Sequence, residues 1–127
     1  LKSIVLDASA LLAVLDEEPG ADIVRAVIFN AVISTVNLAE IYTKLSDRGR
    51  NGLEAMTEML FAIEEIIPFS LEHAEIAGML RPATAHAGLS LGDRSCLALG
   101  ISLNADVYTA DRIWGQLEVP CNVKIIR

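Results

Sequence analysis

The sequence predicts an α/β fold: a three-layer α/β/α domain around a central, mainly parallel sheet of about five strands. Two observations carry this. Short apolar runs alternate along the chain with longer stretches in which apolar residues recur at helical spacing. The short runs also lack strict polar alternation, as expected of strands covered on both faces. Length and composition set the scale, since 127 residues make one ordinary domain and a 53% hydrophobic content supplies a well-buried core.

The elements follow in order. Residues 3 to 7 are a short apolar run ending in Asp7, the first strand. Residues 9 to 17 are helical, with Leu11, Leu12, Val14 and Leu15, and Pro19-Gly20 then opens a second helix over 21 to 29. Residues 31 to 35 form the second strand, and 37 to 47 the helix that leaves it, with Leu38, Ile41, Tyr42 and Leu45 on one face. After a polar loop over 48 to 52, one helix spans 53 to 65. Residues 66 to 69 are a third strand, which Pro68 assigns to an edge. A helix over 71 to 81 stops near Pro82, and 91 to 104 form the clearest helix of the chain. Residues 105 to 109 and 123 to 126 complete the strands. Neither a repeat nor a linker interrupts this single domain.

Charge and composition exclude several functions. A net charge of −7 argues against a general electrostatic binder of nucleic acid, unless the acids are gathered at a metal site where bound cations reverse the local sign. Cys96 and Cys121 have no ligand spacing and read as free thiols in a reducing compartment. Asp7 interrupts the N-terminal apolar stretch, so no secretory signal is expected. The longest uncharged run, residues 26 to 39, is shorter than the ~18 residues of a membrane span. A soluble cytoplasmic protein with no membrane contact is the expectation.

Parallel strands end together on one edge of the sheet, where sites form. Asp7 ends the first strand, Glu40 lies in the first turn of the helix after the second, and Asp111 follows the fourth. The helix carrying Asp93 runs back to the start of strand four, so its N-terminus also belongs at the active edge. Each acid alone also suits a helix cap; Asn37-x-x-Glu40 and Ser90-x-x-Asp93 both read as capping boxes. Capping does not explain why four acids gather at one rim. Two unit charges about 4 Å apart repel by about 1 kcal/mol in water and about 4 kcal/mol at an effective dielectric near 20. Either a carboxyl is protonated or a cation is bound. Oxygen-only ligands favour Mg²⁺ or Mn²⁺, and His73 and His86 lack the spacing of a zinc pair. Ser9, Asn37 and Thr109 are placed to support the acids. Arg94 and Arg112 each follow a site acid and are candidates for contacts to substrate phosphates; Lys44, Arg48 and Arg50, on or just after the helix of Glu40, are further candidates.

Carboxylates with such an ion suit phosphoryl chemistry. No phosphate-binding glycine loop, dinucleotide fingerprint or nucleophile elbow is present. A dehalogenase-like phosphatase expects a second Asp where Ser9 stands. A receiver domain expects a phospho-acceptor Asp where the third strand ends in Phe69-Ser70.

The segments VLDASALLA (5 to 13), STVNLAEIY (34 to 42), LSLGDRSCLALG (89 to 100) and VYTADRIW (107 to 114) together resemble the four motifs of PIN domains. The order and rough spacing agree over nearly the whole chain, and the likeness is greatest to VapC-type toxins. The resemblance implies a Mg²⁺- or Mn²⁺-dependent endoribonuclease that hydrolyses RNA by metal-activated water. It also implies a homodimer and a protein antitoxin. It assigns Asp7, Glu40, Asp93 and Asp111 to metal binding and catalysis, with Ser9 as a helper. A non-catalytic PIN-like binding module and a metal-dependent phosphatase remain alternatives.

Overall fold

A computed structural model describes residues 3–127. Strand β1 (Ile4–Leu6) is stopped by Asp7, whose carboxylate accepts from the Ala10 amide and so starts helix α1 (Ala8–Leu15). The same grammar recurs at β2 (Ala31–Ser34), where the Ser34 hydroxyl accepts from the Val36 amide and starts α3 (Thr35–Asp47). Between these units lies α2 (Ala21–Arg25). Next come α4 (Gly52–Ala55), α5 (Thr57–Ala62), β3 (Glu65–Ile67), α6 (Leu71–Met79) and α7 (Arg81–Thr84). Helix α8 (Leu91–Leu103), β4 (Asp106–Thr109) and β5 (Val123–Ile125) complete the order.

All four strand pairings are parallel, and the sheet order is β3-β2-β1-β4-β5. The chain builds outward from β1 through β2 to β3. It then returns to the other side of β1 to lay down β4 and β5. The direction of building therefore reverses between β1 and β4, and a crevice opens at the carboxyl ends of such a pair.

Alternate residues of β1 to β4 feed two cores. On one face Leu6 and Ile33 pack with Leu11, Val24, Ile41, Leu45 and Met56. On the other, Val5, Val32 and Val107 pack with Cys96, Leu97, Leu99 and Trp114. This two-sided burial is the reason that the strands read as continuous apolar runs. Among the described residues no helix is long and apolar enough to cross a membrane.

Several boundaries differ from the sequence expectations, each for a tertiary reason. The helix expected over 53–65 is two short ones meeting at the fully buried Met56. It ends at Ala62 because Glu64 already donates to the Ala31 carbonyl at the start of the sheet pairing. The helix expected over 21–29 stops at Arg25, and Ile28–Asn30 makes a single 3-10 turn into β2. Pro82 does not end a helix but sits in the first turn of α7, where its missing N–H is no loss. Pro68 lies just beyond β3, which is an edge strand as expected.

The buried faces predict a clear contrast. Leu97→Ala, in the core beneath α8, is expected to lower unfolding free energy by about 2–5 kcal/mol. Leu53→Ala, at a position 74% exposed, is expected to change it by less than about 0.5 kcal/mol. Urea denaturation of both variants measures the difference.

Candidate active site

Asp7 stands at the mouth of the β1–β4 crevice and is 5% exposed. Its Oδ1 accepts from the Ser9 hydroxyl at 2.7 Å and the Ala10 amide at 2.9 Å, and its Oδ2 from the Thr109 hydroxyl at 2.7 Å. Both hydroxyls serve twice, because Ser9 Oγ also accepts from the Ala110 amide and Thr109 Oγ1 from the Asp111 amide. The carboxylate is thus laced to the end of β4 as well as to its own helix. Burial pushes its pKa from 3.8 up to about 6, against the pull of these three donors, and the negative charge of Asp93 pushes it further the same way.

Asp93 lies in the first turn of α8. Ser90 and Asp93 form a capping box, with the Ser90 hydroxyl accepting from the Asp93 amide and Asp93 Oδ2 accepting from the Ser90 amide at 2.9 Å. Asp111 is itself the N-cap of the 3-10 turn Arg112–Gln116, its Oδ1 accepting from the Ile113 amide. Asp93 Oδ1 and Asp111 Oδ2 accept no hydrogen bond from the described residues.

Glu40 is held differently. Helix α3 begins at Thr35 under a Ser34 cap, so Glu40 falls in its second turn and Asn37-x-x-Glu40 is not a capping box. Asn37 instead donates its amide to Glu40 Oε1 at 2.7 Å and to the Gly92 carbonyl at 3.0 Å. These bonds join the first turns of α3 and α8 and set Glu40 beside the residue preceding Asp93. Gly92 is absent from the residues picked out in the sequence. Its one local signal is a poor helix former inside the first turn of the clearest helix.

The basic residues separate from the acids. Arg48 and Arg50 both pair with Asp16 at the far ends of α3 and α1, a whole helix away from Glu40. Arg94 turns to α6, where Nη1 donates to the Ala77 carbonyl at 2.9 Å and Nε is buried without a partner. Arg112 is exposed on the rim, its Nε donating to the Arg127 carbonyl. Lys44, one turn beyond Glu40, joins Val36, Ala39, Glu40, Thr43 and Asp47 around an open groove of about 460 Å³. His73 is buried in the capping box of α6 and His86 is exposed. Cys96 and Cys121 are free, and burial raises both thiols, Cys121 to about 11.

The donors at the rim are oxygens, which suits a hard cation. Among the described residues, however, no three His, Cys, Asp or Glu side chains are drawn into one metal shell as they stand. Among the same residues none of Asp7, Glu40, Asp93 and Asp111 is in an ion pair.

A parallel α/β domain whose switch point carries the buried Asp7, the half-buried Glu40 and Asp93 and the exposed Asp111 defines a class of carboxylate-site proteins. The PIN domain family model matches residues 4–119, and the chain belongs to this family. No curated protein sequence matches it. Among solved structures it is similar to a chain of the DNA-bound VapBC from Salmonella typhimurium, with 14% identity over 100% of both chains and a TM-score of 0.75. VapBC-5 of Mycobacterium tuberculosis, a member of a toxin–antitoxin family, is 25% identical over 100% of this chain and 99% of its own, with a TM-score of 0.60. A toxin–antitoxin complex from Klebsiella pneumoniae is 20% identical over 86% and 87%, with a TM-score of 0.69.

The raised pKa of Asp7 has a stability consequence. Without metal, the folded chain holds this proton more tightly than the unfolded chain. The stabilisation is therefore complete below 3.8 and lost as pH rises to about 6. Asp7→Asn keeps an N-cap residue and removes the charge. In EDTA, the stability of Asp7→Asn relative to the parent is expected to rise between pH 4 and 6 and level off above, read by urea denaturation across that range. A gap that does not change with pH contradicts the assignment.

Proposed function

We propose that the protein is a Mg²⁺- or Mn²⁺-dependent endoribonuclease, the toxin of a toxin–antitoxin pair, working in the cytoplasm as a homodimer. One observation carries the metal reading: among the described residues the four acids of the active edge have no cationic partner, while Arg25, Arg48, Arg50 and Arg127 pair with acids elsewhere. A desolvated carboxylate next to other carboxylates calls for a cation from outside the chain.

Asp7, Glu40 and Asp93 would hold the ion, with Asp111 as a fourth donor. A bound divalent ion supplies polarisation of a phosphate oxygen and activation of water for hydrolysis of the phosphodiester. The chain's own contribution is orientation. Ser9 and Thr109 lock Asp7, and Asn37 locks Glu40. The groove beside Glu40, lined also by Val36, Ala39, Thr43 and Asp47, offers an RNA strand the ammonium of Lys44. The exposed guanidinium of Arg112 offers a second phosphate contact, whereas Arg94 acts on the C-terminal turn of α6. The resemblance to VapC-type toxins and the likeness to solved toxin–antitoxin complexes support the antitoxin partner. A non-catalytic binding module is the second reading, favoured by the acids' standing apart from a single shell.

The test is cleavage of end-labelled RNA, and of DNA of the same sequence, with Mn²⁺ or with EDTA. RNA is expected to be cut with Mn²⁺ only. Asp93→Asn can still accept from the Ser90 amide, so the fold should persist. Activity should fall by more than the roughly 10–100-fold that loss of an outer-shell partner costs. Cleavage that survives chelation, or full activity in Asp93→Asn, rejects the metal mechanism. An inert protein that still binds RNA supports the binding module.

A further inference from the structure

The carboxylate of Glu40 rests against the backbone of another helix at a point where any side chain would displace it. A Cβ on Gly92 would lie 2.5 Å from Glu40 Oε2 and 2.6 Å from its Cδ and Oε1. On the other side stands Asn37, 1% exposed, with one amide bridging Glu40 Oε1 and the Gly92 carbonyl. Both partners are acceptors, so the amide has one possible orientation, and reversal would set oxygen against oxygen. That orientation leaves Asn37 Oδ1 buried without a donor.

Two features unfavourable to folding thus meet at one place, a glycine within a helix and an orphaned buried acceptor. Such local conflicts concentrate where function constrains the structure. The clash that a side chain would cause is also informative. Its target is the tip of a flexible side chain, which can swing away with little effect on the fold. What would be lost is the placement of Glu40.

We propose that Gly92 and Asn37 are a positioning pair for Glu40. Asn37 ties Oε1 inward and Gly92 leaves the carboxylate room beside Asp93. Oε2, which accepts no hydrogen bond from the described residues, is left as the donor atom toward a divalent cation. Neither residue is a ligand or a catalytic group. The inference rests on the proposed divalent-ion site at Glu40.

The experiment is Mn²⁺ titration by calorimetry on the intact protein, paired with thermal melting in EDTA. Gly92→Ala is expected to weaken Mn²⁺ binding by about 10–100-fold, the range for outer-shell partners. Its melting temperature in EDTA should stay level or rise, because alanine is the better helix former. Asn37→Leu keeps the branched side-chain shape with somewhat greater bulk, removes both donors and the orphan, and should lose Mn²⁺ affinity to a similar degree. In a Glu40→Ala background, Gly92→Ala should change the affinity by less than roughly two-fold, as expected when both act through one group. Parent-like Mn²⁺ binding by Gly92→Ala and Asn37→Leu overturns the pairing and leaves the metal site standing. The same holds if the full loss recurs without Glu40. A parent protein that binds no Mn²⁺ overturns the pairing and the metal site together.

Discussion

A carboxylate buried at the end of the central strand is the constraint to which the whole acidic edge of the sheet answers. Asp7 has no cationic partner among the described residues, and a charge in such a place is tolerated only with donors around it. It collects three, two from the first turn of α1 and one from the end of β4. The Thr109 hydroxyl that donates to Asp7 also accepts from the Asp111 amide, so one group ties two acids into one arrangement. This works only because β4 lies directly beside β1, with Leu6 opposite Tyr108 in the register.

Helix capping and site formation are one arrangement here. Asp93 and Asp111 each use one oxygen to start a helical turn, which fixes the carboxylate plane and leaves the other oxygen free. The helix N-termini favour negative charge as well. Glu40 has no such anchor, because in the second turn of α3 the backbone amides are already paired within the helix. Its orientation comes from a neighbouring helix instead, through Asn37 and the bare backbone at Gly92.

Charge is sorted along the sheet in the same spirit. Helices α1 and α3 leave the acidic edge and run the full depth of the sheet, so their C-terminal ends meet on the opposite edge. There Asp16 takes both Arg48 and Arg50. The acidic rim therefore stays unneutralised by these arginines. Arg94 is adjacent to Asp93 in sequence yet turns away to the C-terminal turn of α6, whose carbonyls lack helical donors.

The alternation of strands and helices, the acids that punctuate it and the parallel sheet were legible in the sequence. Periodicity and capping are local, and each is written in residues a few positions apart. Asp7 before α1 and the Ser90–Asp93 box are of this kind, and so is the edge strand next to Pro68. The break of one expected helix at Met56 was not legible, because the bend serves a core contact and a sheet pairing from elsewhere in the chain. Nor were the destinations of Arg48, Arg50 and Arg94, since a side chain's partner depends on which helix end faces it. The strand order, the burial of Asp7 and the seating of Glu40 against Gly92 were decided by tertiary structure alone. Each depends on surfaces distant in sequence closing on one another, and no local pattern carries that energy.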